Sequence, residues 1–160
     1  MRKFVIIVVL IGFFATFLTS CDSNKVYEEY IELEDYTWKS SQPLEYEFEI
    51  SDTTELYDVY INVRHANQYP YNNLWLCINS WSPAGVKQTD TIECILADDK
   101  GKWLGSGLGD IWDRQIVWKK NVRFPMKGKY HVEYNQFMRV DDLVGIMDMG
   151  LRVQFADSEE

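Results

Sequence analysis

The chain has 160 residues, with 16 Lys and Arg against 25 Asp and Glu and a formal net charge of −9. An acidic chain argues against nucleic acid as a partner, because binding phosphates takes clustered cations. The length suits one domain with a sizeable core and is too short for two ordinary ones.

At the N-terminus, Arg2 and Lys3 precede a run from Phe4 to Phe17 that is apolar but for Thr16, and Leu18-Thr19-Ser20-Cys21 follows. A membrane-spanning helix needs roughly 20 apolar residues to cross a hydrocarbon core of about 30 Å. This run is shorter and has the length of a signal-peptide apolar region. An ordinary secretory signal would leave Cys21 without a purpose. In a lipoprotein signal its thiolate is the nucleophile that receives diacylglycerol, and the small residues before it let the peptidase approach. The sequence therefore predicts a cleaved lipoprotein signal at 1–20, a lipidated N-terminus and short tether at 21–26, and a folded domain over 27–160. With diacylglycerol and an N-linked acyl chain on Cys21, several chains would hold the protein to a bilayer almost indefinitely. Loss of the signal leaves 14 basic against 25 acidic residues, a net charge of −11. Lys25 is the only base between Cys21 and Lys39, amid Asp22, Glu28, Glu29, Glu32, Glu34 and Asp35, so no polybasic lipid-docking segment is expected there. The acidic excess is spread over the chain and reads as a solvated surface.

Beyond the tether the pattern is one of strands. Tyr27 to Leu33 is a first candidate. Leu44, Tyr46, Phe48 and Ile50 then alternate with Glu45, Glu47 and Glu49, the period of two of a strand with one buried and one wet face. Tyr57, Val59, Ile61 and Val63 repeat it after the polar turn Ser51-Asp52-Thr53-Thr54, which predicts a hairpin. Further strands are expected at Leu74 to Trp81, Thr91 to Leu96, Gln115 to Phe124, Tyr130 to Phe137 and Leu151 to Phe155. Turn signals at Pro83-Ala84-Gly85, Asp98 to Gly101 and Pro125 to Gly128 separate most of them. Arg139 to Ile146 is the one stretch that suggests a short helix or helical turn. About eight short strands at this spacing predict an all-β fold: a single antiparallel β-sandwich, jelly-roll-like, behind the signal.

The chain carries six Trp, ten Tyr and eight Phe. Most should fill a β core. The functional alternative is a lipid-anchored carbohydrate-binding module, with Trp75, Trp81, Trp103, Trp112 and Trp118 as candidate platforms. The Gly-rich stretch Gly101 to Asp113 is the most unusual local feature. A phosphate loop would need a lysine after the last glycine and a helix opening there, but the next lysine is Lys119 and no helix pattern follows. Asp98, Asp99, Asp110 and Asp113 could offer oxygens to Ca²⁺, yet their spacing is not that of an EF-hand loop. A strand with close backbone approach or a bulge, then an Asp-capped turn, is the plain reading. As a partner-binding loop its contact residues would be Trp103, Asp110, Trp112 and Asp113.

Cys77 and Cys94 remain after lipidation. A hairpin around Pro83-Ala84-Gly85 would bring them close in a compartment that permits disulfides. Face parity opposes the bond: Cys94 alternates with Ile92 and Leu96, whereas Cys77 lies opposite to Leu74, Leu76 and Ile78. Two buried thiols are expected. With only His65 and His131 beside them, and no C-x-x-C spacing, zinc is not expected, nor is any other metal or cofactor. Gly105-Ser106-Gly107 lacks the spacing of a nucleophile elbow, neither histidine sits in a motif, and no carboxylate pair is singled out. The expectation is a protein without catalytic activity.

Tyr71-Asn72-Asn73-Leu74-Trp75-Leu76, Asp90 to Cys94, and Leu96 to Gly105 continued by Gly107-Leu108-Gly109-Asp110-Ile111-Trp112-Asp113 together resemble the gliding-motility lipoprotein H (GldH) family. Val122-Arg123-Phe124-Pro125 with Gly128, and Gly145 to Arg152, are similar to later parts of the same pattern. The resemblance runs from about Glu28 to Arg152. It implies association with the gliding apparatus and its coupled secretion and envelope machinery, through protein–protein interaction and not catalysis. Only Cys21, as the lipidation site, transfers with a defined chemical role. Asp22 after the cysteine would retain a lipoprotein in the inner membrane under enterobacterial sorting rules, but the resemblance points to bacteria where those rules need not apply; the outer membrane is expected, with its periplasmic or surface face left open.

Overall fold

The computed structural model describes residues 24–157. The signal, the tether up to residue 23 and Cys21 lie outside them. In chain order the strands are β1 (Lys25–Glu32), β2 (Thr37–Lys39), β3 (Leu44–Ile50), β4 (Tyr57–Ala66), β5 (Asn73–Trp81), β6 (Lys87–Ile95), β7 (Ser106–Leu108), β8 (Ile111–Val122), β9 (Gly128–Gln136), β10 (Asp142–Val144) and β11 (Ile146–Phe155). The eight strands longer than three residues correspond one to one with the eight expected from sequence, with β6, β8 and β11 extended toward their N-termini.

One sheet runs β1-β11-β4-β8-β7, the other β3-β9-β5-β6, and β2 and β10 form a small ribbon of their own. All pairings are antiparallel. Among the long strands the first pairs with the last, β3 with β9, β4 with β8, and β5 with β6. This is one long antiparallel ribbon closed at the β5–β6 turn and rolled up, so that strands on either side of the turn fall alternately into the two sheets. The result is a jelly roll.

That rolling corrects the hairpin expected between the strands at 44–50 and 57–63. β3 pairs with β9, from Leu44 opposite Tyr134 to Ile50 opposite Gly128, while β4 lies in the other sheet between β11 and β8. Periodicity reports which face of a strand is apolar, not which strand lies beside it. β3 keeps three glutamates on its outer face and suits an edge. β4 is buried on both faces, including Asp58 at 2% and Asn62 at 4% exposure. Their polar atoms are satisfied: Asp58 accepts from the Asn121 backbone N–H at 2.8 Å, and Asn62 accepts from Gln115 at 3.0 Å. The helical turn expected over Arg139 to Ile146 is also corrected. That stretch is strand β10 and a bend, with Leu143 buried opposite Trp38. Trp38 is fully buried and donates from Nε1 to the Gln42 carbonyl at 2.8 Å, so the ribbon plugs one end of the sandwich.

The core comes from the inner faces: Tyr46 and Phe48 of β3, Val59, Ile61 and Val63 of β4, Leu74, Leu76 and Ile78 of β5, and Met149, Leu151 and Val153 of β11. Tyr46 ties the sheets together, its hydroxyl donating to the Met149 carbonyl at 2.8 Å in the buried interior. Cys77 and Cys94 are free thiols. Cys94 is buried opposite Leu74, and Cys77 faces the other way, opposite Thr91. Cys77 is half-buried, short of the full burial expected of both.

The sandwich has two distinct ends. At one, Lys25, Tyr57, Val122 and Phe155 of the first sheet meet Ile50, Trp81, Lys87 and Gly128 of the second. At the other stand Ala66, Asn73, Ile111 and the β2–β10 ribbon. β8 spans between them, roughly 35–40 Å at about 3.3 Å per residue.

Candidate interaction sites

The Gly-rich stretch is a hairpin, β7 turning into β8, at the end away from Lys25. A Cβ on Gly105, whose φ is +98°, would lie 2.2 Å from the Asp113 carbonyl oxygen. One on Gly107 would lie 2.7–2.8 Å from the Trp112 ring. Glycine is needed at both because the two arms touch backbone to backbone and backbone to ring, the close approach the sequence suggested. At the turn Leu108 is 88% exposed and Ile111 38% exposed.

The four residues nominated from sequence take different roles. Trp112 lies on Gly107 and opposite His65 on β4, on the inner face of the sheet. Trp103 packs at 4.5 Å from the His65 ring and donates from Nε1 to Asn67 at 2.9 Å. Both are half-buried and support the hairpin from beneath. Asp113 points to the outer face, accepting from Arg64 Nε at 2.8 Å, and Arg64 also reaches Asp148 at 3.3 Å. The Asp113 hydrogen bond raises the Arg64 pKa. Asp110 is exposed at the turn, and its backbone carbonyl accepts from Asn67 N–H at 2.7 Å. The structure thus gathers Trp103 and Trp112 around His65, sends Asp113 to the other face, and leaves Asp110 at the tip. Leu108, the most exposed large apolar side chain among the described residues, was not nominated; an apolar residue between two glycines is the signal that could have found it.

His65 is fully buried, and burial lowers its pKa. Its Nδ1 lies 3.1 Å from the Ala66 carbonyl. Asp98 does not join Asp110 or Asp113, since its carboxylate caps its own turn, accepting from the N–H groups of Lys100 and Lys102 at 2.9 and 2.8 Å. Among the described residues no group of three or more His, Cys, Asp or Glu is placed to hold a metal. Of the tryptophans Trp75 is the most exposed, at 37%.

At the Lys25 end the sheets part to form an apolar cleft of about 380 Å³, lined by Phe48, Trp81, Trp118, Val122, Phe124 and Tyr130 among others. A bulge shapes it. Val59 faces Lys119 and Tyr60 faces Val117, so Trp118 is the extra residue of β8. Bulges re-aim side chains in this way at barrel rims. Trp118 donates to Asp90 at 3.1 Å, which fixes its indole at the mouth. The aromatic lining continues through Phe124, 4.8 Å from Tyr130 and 5.3 Å from Tyr57.

Comparison with known proteins gives a consistent answer. A family model described as GldH lipoprotein matches residues 25–153. A gliding motility lipoprotein GldH homolog of Christiangramia forsetii is 35% identical over 147 residues, covering 88% of this chain and 90% of its own. Gliding motility lipoprotein GldH of Flavobacterium johnsoniae is 33% identical over 150 residues, covering 89% and 92%. A solved structure of infectious bursal disease virus, Gx strain, aligns with 84% of this chain and 32% of its own at 13% identity, with a TM-score of 0.27, a likeness that carries no argument. The match covers nearly all of the jelly roll, both ends included, and so the chain belongs to the GldH lipoprotein family.

Proposed function

We propose that this protein is a non-catalytic, lipid-anchored component of the gliding-motility machinery and the secretion and envelope apparatus coupled to it, acting by docking another envelope protein. The relatives' names support the association with gliding motility. Cys21 is the anchor, carrying diacylglycerol and an N-acyl chain, and the outer membrane is the destination. The observation that carries the docking reading is the β7–β8 hairpin. It holds Leu108 at 88% exposure on a braced turn, a β8-length away from the end where β1 begins. A tethered domain that enters at one end and presents a stiff apolar tip at the other is built to reach a partner standing off the membrane.

The test is crosslinking and affinity recovery of tagged protein from envelopes. Wild type should recover specific envelope proteins. Leu108→Glu and Asp110→Ala should lose them while keeping the fold, since both residues are exposed. Recovery unchanged in these variants, or nothing above background in wild type, overturns the reading. Trp112→Ala is the poorer variant, because the ring supports the hairpin rather than facing outward. The carbohydrate alternative rests on Trp75 beside Phe137, which is 64% exposed. A silent glycan array would end it.

A further inference from the structure

The segment from Arg114 to Val132 departs from the rest of this acidic chain. It holds Arg114, Lys119, Lys120, Arg123, Lys127 and Lys129, six of the 16 basic residues, and no Asp or Glu. It comprises most of β8, the β8–β9 loop and the start of β9, and it forms one wall and the rim of the apolar cleft. Lys119 and Arg123 stand among the lining residues, and no carboxylate does. Lys119 is paired with Asp90 at 3.0 Å and Lys129 with Glu47 at 2.7 Å, while Arg123 and Lys127 are exposed. Acids also stand at this end: Asp90 beside Lys119, Glu49 opposite Lys129, and Asp52, Glu55 and Asp157 in the β3–β4 loop and after β11, with Asp52 close enough to Lys127 to feel its charge. Met126, 42% exposed, adds an apolar side chain to the lip.

The cleft opens at the end where the chain enters the domain. Phe155 N–H donates to the Asn24 carbonyl at 2.8 Å. The Phe155 ring is 5.3 Å from Tyr57, and Tyr57 is 5.3 Å from Phe124 of the cleft wall. Only Asp22 and Ser23 separate Cys21 from Asn24, three Cα-to-Cα steps with a reach of roughly 10 Å when extended. With Cys21 acylated as proposed above, so short a tether would hold this end against the bilayer.

We propose that the cleft takes an acyl chain of an anionic phospholipid from the membrane to which the protein is anchored, with Arg123 and Lys127 on its headgroup. Apolar walls with a few polar groups at the mouth are what a pocket for an amphiphile requires, and cations beside an anionic surface are attracted to it. The charge near Cys21 gave no such docking segment; it lies about a hundred residues later in the sequence, brought to the same end by the roll. The proposal rests on the anchoring of Cys21.

The experiment uses the full lipoprotein reconstituted into vesicles containing phosphatidylglycerol with brominated acyl chains, which quench tryptophan on contact. Trp81 and Trp118 line the cleft, and the other four tryptophans stand toward the opposite end. Wild type should be quenched. A Trp81→Phe/Trp118→Phe variant should lose most of that quenching, and Arg123→Gln/Lys127→Gln should reduce it several-fold, as should replacing phosphatidylglycerol with brominated phosphatidylcholine. The protein's own acyl chains carry no bromine, so a cleft filled by the anchor gives no quenching and overturns the proposal. Quenching that persists without Trp81 and Trp118 overturns it too. Intact mass reads acylation of Cys21 separately: an acylated protein without quenching sinks the cleft assignment alone, and a protein without acyl chains sinks the anchoring beneath it.

Discussion

Substituting Gly105 and Gly107 by alanine separates two physical costs within one hairpin. At Gly105 the φ of +98° is strained for any residue with a Cβ, about 1–3 kcal/mol. The added methyl would also sit 2.2 Å from the Asp113 carbonyl oxygen, a backbone atom held in the β4–β8 ladder, so overpacking adds about 1–3 kcal/mol. Together these come to about 2–6 kcal/mol. At Gly107 there is no positive φ, and the contacts of 2.7–2.8 Å are with the Trp112 ring, which must move several tenths of an ångström. About 1–3 kcal/mol is expected there. β7 is a three-residue edge strand, so it can detach locally before the sandwich unfolds. Amide hydrogen exchange at Ser106 to Leu108 should therefore accelerate in both variants, and more in Gly105→Ala. The urea midpoint should fall less than the local exchange energies imply. If Gly107→Ala were the more damaging, or if exchange at Ser106 to Leu108 were unchanged in either variant, the packing of the hairpin described above would be wrong.

Tyr46→Phe removes the hydroxyl that joins the sheets and leaves the Met149 carbonyl without that donor in the core, which should lower stability by about 1–3 kcal/mol in urea denaturation. Burial pushes the Cys94 thiol up to about 12, so in native protein at neutral pH a thiol reagent should label the half-buried Cys77 and spare Cys94, with Cys94 reacting only after unfolding. The burial of His65 holds its folded pKa below its unfolded value near 6.5, so the unfolded chain takes the proton first. This contribution to stability is full above that value and falls as pH drops through the window beneath it, by at most about 1.4 kcal/mol per pH unit. Between about pH 7.5 and about pH 5.5 the urea midpoint of His65→Gln should fall less than that of wild type; equal slopes in the two proteins would refute the assignment.

Much of the fold was legible in the residues. Alternation along Leu44 to Ile50 named both the strand and its buried face, and the parity argument placed Cys77 and Cys94 on opposite faces of their hairpin as the structure has them. The partner of that strand was not legible, because β9 lies about ninety residues away and nothing local distinguishes it from β4. The site was read less well. Trp103 and Trp112 were nominated for their chemistry, but whether an aromatic ring presents itself or props a neighbour depends on what the roll places under it. The basic run from Arg114 to Val132 was present in the sequence as an absence of carboxylates, masked by averaging charge over the whole chain.

The sequence by itself determined the eight long strands, their buried faces and the family pattern, and it alone carries the expectation of a lipobox at Cys21. These depend on local chemistry: the nucleophile a lipid transfer needs, the period of two of a strand, and residue order. Tertiary structure alone decided which strands are neighbours, that the hairpin tip and the start of β1 stand at opposite ends, and that β8 and β9 carry their cations to the end where β1 begins. Those are distances through space between residues far apart in the chain, set when two sheets close over one core, and no local pattern encodes them.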